Sequence, residues 1–186
     1  INNGDLLIEA ALIRAYIDSY KTDEAFRRLR ILSTSDFGRM DSYHYLLGLL
    51  YEKEGDFYKA SKSFEVSIQI NPLADLTFLK LGKIYLRARR YNYAKDRLNK
   101  AIQLNPNNPE YFATYSQVLY ELNGPDMAIG YLRDKLNKFP DSLVLFSKIA
   151  QYYYNSGLQK EYLRYRDLLV LEGKFEPSFY EFLINE

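Results

Sequence analysis

Residues 47–51 read Leu-Gly-Leu-Leu-Tyr, and residues 81–85 read Leu-Gly-Lys-Ile-Tyr, so the pattern Leu-Gly-x-x-Tyr returns after 34 residues. Other residues recur at the same interval, namely Pro72, Pro106 and Pro140, and Ala60, Ala94 and Ala128. Several independent series with one period indicate an internal repeat. The fold is therefore expected to be an array of similar units stacked along the chain.

Each unit has the pattern of two amphipathic helices joined by a tight turn. In residues 41–74, apolar side chains lie at helical spacing first at Leu47 and Leu50 and then at Phe64 and Ile68. Glycine adopts a left-handed backbone at little cost and often ends a helix. We therefore expect the first helix to end at Gly55. Gly157 and Asn123 are predicted to do the same in later units. The recurring prolines should stop each second helix.

Small residues stand at two further places in the units. The eighth residues are Gly48, Gly82, Ser116 and Ala150, and the twentieth residues include Ala60, Ala94 and Ala128. A large side chain at either place would push the two helices apart. We therefore expect these positions to lie where the helices of a pair approach most closely.

The period and these motifs resemble the tetratricopeptide repeat family, whose 34-residue unit carries L-G-x2-Y, A-x3-F and a late proline. Framed in that way, the repeats cover 41–74, 75–108 and 109–142, with divergent copies at about 6–40 and 143–176. The tryptophan of the family pattern is replaced by His44 and by phenylalanines in later copies. The resemblance implies an all-α, right-handed superhelical solenoid of antiparallel helix pairs. It would form one array over residues 1–186. The residues after Gly173 predict a further C-terminal helix at 177–186, either a cap on the last repeat or the start of another one.

Catalytic chemistry finds little support in the composition. There is no Cys and one His, His44, which excludes disulfides, zinc fingers and thiol catalysis, and leaves little scope for a metal site. The nine glycines are scattered and form no phosphate-binding loop. We predict that the chain is not an enzyme and uses no cofactor or metal.

Charge is uneven along a chain whose net charge is +1. Residues 75–108 hold eight basic and two acidic residues, whereas the repeats on both sides are slightly acidic. Those acidic neighbours interrupt a basic stripe, so nucleic-acid binding is not expected. Lys80, Lys83 and Arg87 are spaced to share one helix face.

The resemblance implies that the first helices line a concave groove that holds a partner peptide or protein. Carried over position by position, the groove residues are Tyr45, Leu49, Lys80, Lys83, Arg87, Gln117, Tyr120, Lys148, Gln151 and Tyr154. A basic groove with tyrosines suits a peptide that has acidic and aromatic or apolar residues. The family's clamp for heat-shock chaperone C-termini is not expected, since Ala10 and Arg14 stand at its positions.

The predicted function is a scaffold or adaptor, and three alternatives remain open. The chain could be the repeat arm of a larger enzyme, an exported assembly or secretion factor, or a protein that associates with itself. It starts at Ile1 rather than Met, from which we expect it to be part of a longer protein. No stretch approaches the ~18 apolar residues of a membrane span. A Cys-free sequence fits a cytoplasmic and an exported protein equally well.

Overall fold

Helices arranged in pairs make up the computed structural model, which describes residues 3–171. In residues 3–84, α1 (Asn3–Asp18) pairs with α2 (Thr22–Leu32), and α3 (Asp41–Lys53) pairs with α4 (Phe57–Ile70). A short 3-10 helix, Asp36–Arg39, precedes α3. No strand occurs within residues 3–171. The prediction of an all-α chain of helix pairs is confirmed.

The second half follows the same order. It contains α5 (Asp75–Arg87), α6 (Tyr91–Leu104), α7 (Pro109–Asn123), α8 (Pro125–Leu136), α9 (Leu143–Asn155) and α10 (Gln159–Leu171). The contacts divide the chain into two compact units, residues 1–84 and 85–186, with the boundary inside α5. The single array over 1–186 stays a prediction, and the predicted helix at 177–186 lies outside the described residues.

The predicted left-handed turns are confirmed at two places and displaced at a third. Gly55 has φ +79° and Gly157 has φ +71°. The Asn123 prediction is wrong: Asn123 is the last residue of α7, and Gly124 takes φ +87° instead. Glycine carries no Cβ penalty there, so the left-handed residue moves one place along the chain.

Two residues with large side chains adopt the same left-handed backbone, and nothing in the sequence predicts this conformation for them. Tyr20 has φ 57° after α1, and Arg89 has φ 56° after α5. Both occupy the place that Gly55 holds in its own repeat. A non-glycine residue in this region costs about 1 kcal/mol or more, so the helix-pair geometry imposes the turn even where the residue disfavours it.

The cores of the two units lie between paired helices. Ile13, Leu29, Leu50 and Phe64 are almost completely buried in the first unit. In the second unit, the core between α7, α8 and α9 is built from Leu132, Leu145, Ile149 and Ala150. Ala60, Ala94 and Ala128 have no exposed surface, as expected for positions of close helix approach.

Candidate partner-binding surface

The first helices of successive repeats lie side by side within each unit. α1 contacts α3 in residues 3–84, and α7 contacts α9 in residues 85–171. The residues predicted to line a groove are distributed over these helices and α5. We describe those of each unit in turn.

Tyr45 links α3 to its neighbours in the first unit. Its ring lies 5.8 Å from the ring of Phe64, and its hydroxyl interacts with the side chain of Arg14. Burial raises the pKa of Tyr45, and the interaction with Arg14 opposes that rise. Half-buried contacts on two sides hold this ring in one orientation.

Acidic side chains neutralise two of the cations on this surface. Lys80 Nζ lies 2.8 Å from Glu52 Oε2, with both side chains about a quarter exposed (26% and 27%). Arg14 Nε lies 2.9 Å from Asp18 Oδ2. The basic count of residues 75–108 therefore overstates the positive charge that this surface presents. Lys83 and Arg87 also interact with other groups of the chain.

Leu49 is placed in the core rather than on an open surface. Only 4% of its surface is exposed, and Leu46 and Leu50 beside it are buried too. Helix α3 is apolar on more than one face, because it packs against α1, α2 and α4. Leu49 consequently offers almost no area to a partner.

Two tyrosines stack between α7 and α9 in the second unit. The rings of Tyr120 and Tyr152 lie 4.7 Å apart at an angle of 19°. Tyr152 is 3% exposed, and its hydroxyl lies 3.0 Å from Ser116 Oγ, where either group can donate the hydrogen bond. Burial raises the pKa of Tyr152, so its hydroxyl stays protonated at neutral pH.

Polar side chains occur on the same two helices as that stack, and one of them contacts it. Lys148 Nζ donates a hydrogen bond of 2.9 Å to Gln151 Oε1 and lies 5.5 Å from the centre of the Tyr152 ring. Gln117 is exposed on α7, while Tyr120, Lys148 and Gln151 are half-buried. We call Gln117, Tyr120, Lys148 and Gln151 the α7/α9 surface.

Tyr154 and Arg87 are the remaining predicted groove residues. The ring of Tyr154 meets that of Tyr162 on α10 edge-on at 5.4 Å. Arg87 is an exposed residue at the end of α5.

Sequence reasoning missed Ser116 and Tyr152 as members of the site. The repeat pattern gives Ser116 only the role of a small residue, and Tyr152 stands outside the groove positions that the family resemblance implies. A signal was present, since Tyr152 lies one helical turn after Lys148 and next to Gln151.

Other kinds of site find no support in the described part of the chain. No group of three or more His, Asp or Glu side chains there could hold a metal ion. Within residues 3–171, no helix combines the length and apolar character that crossing a membrane requires.

The family model that matches this sequence is that of the tetratricopeptide repeat, over residues 41–72 and 77–108. Two segments of this chain, residues 41–72 and 77–108, therefore have the sequence of tetratricopeptide repeats. The two matched segments cover α3 to α6, where the Leu-Gly-x-x-Tyr motif occurs. No curated protein matches the sequence.

Solved structures of low sequence identity share the fold. A tetratricopeptide repeat protein of Parabacteroides merdae has a TM-score of 0.79 at 15% identity, covering 95% of this chain and 68% of its own. Pseudomonas aeruginosa pilF has a TM-score of 0.75 at 19% identity, covering 92% and 78%. MamA of Desulfovibrio magneticus RS-1 has a TM-score of 0.68 at 14% identity, covering 87% and 93%.

Tetratricopeptide repeats generally mediate interactions between proteins. The identities of 14–19% with these structures support the tetratricopeptide fold alone.

Proposed function

We propose that this chain is a non-catalytic scaffold that binds a partner polypeptide on the surface of its first helices. The observation that carries the proposal is the α7/α9 surface, where Lys148 lies beside the stacked rings of the half-buried Tyr120 and the buried Tyr152. We assign the principal contact to Gln117, Tyr120, Lys148 and Gln151.

The chemistry of this surface suits an extended peptide. The side-chain amides of Gln117 and Gln151 can each donate to a backbone carbonyl and accept from a backbone N–H. Lys148 can exchange its hydrogen bond to Gln151 for a stronger, charge-assisted one to a carboxylate. The exposed part of the Tyr120 ring offers apolar area to an aromatic or aliphatic side chain.

Preorganisation strengthens the proposal. The hydroxyl of Tyr152 hydrogen-bonds with Ser116, and the Tyr152 ring stacks on the Tyr120 ring with their centres 4.7 Å apart. A partner therefore meets side chains whose rotamers are already restricted, and the entropy lost on binding is smaller.

The partner we propose carries acidic residues together with aromatic or apolar ones. Arg87, and Lys83 one turn before it on α5, would add attraction for carboxylates. Lys80 contributes less, because Glu52 already neutralises its charge. Tyr45 in the first unit and Tyr154 in the second would each offer apolar contact within its own unit.

The test uses a display library of peptides rich in Asp, Glu, Phe and Leu, from which the tightest binder is titrated against purified protein. Removing a charge-assisted hydrogen bond and a neutral one should weaken the peptide affinity of K148A/Q151A about tenfold or more. Lys95→Ala, which removes one positive charge from an exposed position on α6, is the matched control and should leave the affinity unchanged. Equal affinities for K148A/Q151A and the wild type would refute the assignment.

Two further variants distinguish residues of α5 that contact the peptide from a residue of α5 that stabilises the fold. Lys83→Ala with Arg87→Ala should weaken binding of an acidic peptide. Adding Lys80→Ala should reduce affinity little further, but it leaves Glu52 without its ion pair and should lower the unfolding midpoint. A large additional loss of affinity from Lys80→Ala would show that Lys80 contacts the partner directly.

A further inference from the structure

Three cations and one tyrosine form a row along α6, in the second unit. Arg90 directly precedes the helix, and Tyr93, Arg97 and Lys100 follow at intervals of three or four residues. Residues with this spacing share one helix face, and the row spans about 15 Å at 1.5 Å per residue. We call these four residues the α6 face. Arg97 is half-buried, and the other three are exposed.

The protein itself leaves the positive charge of the α6 face without a counter-ion. In the described part of the chain, no carboxylate forms an ion pair with Arg90, Arg97 or Lys100. The Nε atom of Arg97 is buried and has no hydrogen-bond partner there. A cation that is partly withdrawn from water without a counter-ion raises the free energy of the folded chain. A carboxylate that reaches the outer nitrogens of this guanidinium should therefore be bound favourably.

An aromatic ring lies between the cations of this row. Tyr93 is 59% exposed, and its ring lies 5.6 Å from the ring of the buried Tyr85 at an angle of 39°. Contact with Tyr85 restricts the orientation of the Tyr93 ring. An aromatic or apolar side chain of a partner can pack on the exposed part of the ring at a small cost in entropy.

Nearby carboxylates favour a narrow ligand over a broad polyanion. Asp96 is exposed on α6 immediately before Arg97, and Glu121 of α7 accepts a hydrogen bond of 2.9 Å from the hydroxyl of Tyr91 at the start of α6. A membrane surface or a nucleic-acid duplex would meet these carboxylates as well as the cations. An extended peptide can lie along the row alone, and about five residues of it cover 15 Å.

We propose that the α6 face is a second docking surface, which binds an acidic segment of a partner protein. Carboxylates of the segment pair with Arg97, Arg90 and Lys100, and an aromatic residue between them packs on Tyr93. The α6 face belongs to a second helix of the repeats and is distinct from the α7/α9 surface. This inference does not depend on the proposed function.

Fluorescence anisotropy of a labelled peptide, Glu-Asp-Glu-Phe-Glu-Asp-Glu, titrated with the whole chain tests the proposal. Arg97→Met keeps a long side chain and removes the charge, and it should weaken the affinity about tenfold or more. Tyr93→Ala should weaken it about threefold or more. Lys95→Ala is the matched control and should leave the affinity unchanged, because Lys95 lies about 160° around α6 from Arg97.

Urea unfolding distinguishes a binding role of Arg97 from a structural one. Arg97→Met removes a buried donor that has no partner, so it should weaken binding without lowering the unfolding midpoint. If the midpoint falls, R90A/K100A decides, because both of these side chains are exposed. That variant should also weaken the peptide affinity about tenfold, and an unchanged affinity would overturn the proposal.

The α7/α9 surface supplies the comparison that separates the two proposals. K148A/Q151A should bind this peptide as the wild type does. Binding lost in K148A/Q151A but kept in Arg97→Met would overturn the α6 inference and leave the proposed function standing. Binding that depends on Arg97 remains evidence for the α6 face even if K148A/Q151A has no effect on any peptide.

Two other occupants would each overturn the proposal. The first is a membrane, shown by vesicles of phosphatidylserine and phosphatidylcholine that bind the wild type but not Arg97→Met, while the peptide binds neither. The second is another copy of this chain, shown by self-association in sedimentation that Arg97→Met abolishes.

Discussion

The repeats 41–74 and 109–142 share one length and one order of helices, but they fill the space beside their eighth residue differently. A Cβ at Gly48 would lie 2.6 Å from the ring of Phe64, a residue of the same repeat with no exposed surface. Ser116 instead bonds the carbonyl of Ala113 at 2.7 Å and the hydroxyl of Tyr152, in the next repeat, at 3.0 Å. The position requires a small side chain, whereas the group that packs against it is free to vary.

Two further differences separate these repeats. The first turn is closed by Gly55 in one and by Gly124, one residue later, in the other. The fourth residue is the half-buried His44 in one and the buried Phe112 in the other. At the eighth position, one repeat thus has a glycine against a ring of its own second helix, and the other has a serine that hydrogen-bonds to the next repeat.

The largest effect is expected for Gly48→Ala. The added methyl group would overlap the fixed ring of Phe64, which should destabilise the protein by about 2 kcal/mol despite the better helix propensity of alanine. Urea unfolding followed by circular dichroism measures this change. Gly130→Ala is the matched control: Gly130 lies in a helix, and a methyl group added there would have nothing within 4 Å, so it should stabilise the protein by about 0.5–1 kcal/mol. A stabilising Gly48→Ala would contradict the close contact.

A substitution in the turn of repeat 41–74 should change stability through backbone strain and not through a steric clash. Gly55 has φ +79° and nothing within 4 Å of a Cβ, so Gly55→Ala should cost about 1–1.5 kcal/mol through strain without a clash. The opposite change at the equivalent turn of the next repeat, Arg89→Gly, should stabilise the protein by up to about 1 kcal/mol. Urea midpoints that shift in the same direction for both variants would refute this explanation.

Breaking the polar contact of the other repeat should cost less. Ser116→Ala removes a partner of the buried Tyr152 hydroxyl and should destabilise the protein by about 1 kcal/mol. Tyr152→Phe should have a similar effect, and the double variant should cost less than the sum, because each change removes the same bond. A double-mutant cycle in urea checks this, and strict additivity would show that the two hydroxyls do not interact.

The smallest effect concerns pH. Burial disfavours the charged imidazolium and lowers the pKa of His44 below its usual 6.5. The unfolded chain therefore takes up a proton more readily, and stability should decline as the pH falls below about 6.5. His44→Phe, which gives this repeat the residue type of Phe112, should reduce that decline. Unfolding midpoints at pH 5 and pH 8 provide the measurement, and an unchanged pH dependence would contradict the effect of burial.

Local features were the ones that could be predicted from sequence. The helix pairs, the glycine turns at Gly55 and Gly157 and the small residues at close contacts all depend on neighbours within one 34-residue unit. The prediction for Asn123 was wrong by one position, because two residues that tolerate left-handed backbone stand side by side there. Arg89 and Tyr20 could not be predicted at their turns, since neither residue prefers that conformation.

The candidate site was less predictable than the fold. Family positions predicted Gln117, Tyr120, Lys148 and Gln151 as partner contacts, which stays a prediction; of these, Tyr120 stacks on Tyr152 and Lys148 lies beside that ring. They did not reveal that Leu49 is buried, that Glu52 neutralises Lys80, or that Tyr152 supports Tyr120. Each of these facts depends on contacts between residues from different helices. The spacing of positions within a repeat carries no information about them.

The amino-acid sequence by itself determined the period, the helical class and the places where helices must begin, end and approach closely, because these follow from backbone preferences and from side-chain size. Only the tertiary structure decided which charges are neutralised and which rings are held in place. Those outcomes depend on distances between side chains that lie 28 to 36 residues apart, as for Lys80 with Glu52 and Ser116 with Tyr152. Packing of neighbouring helices brings such residues together, and the spacing of residues along one repeat does not specify it.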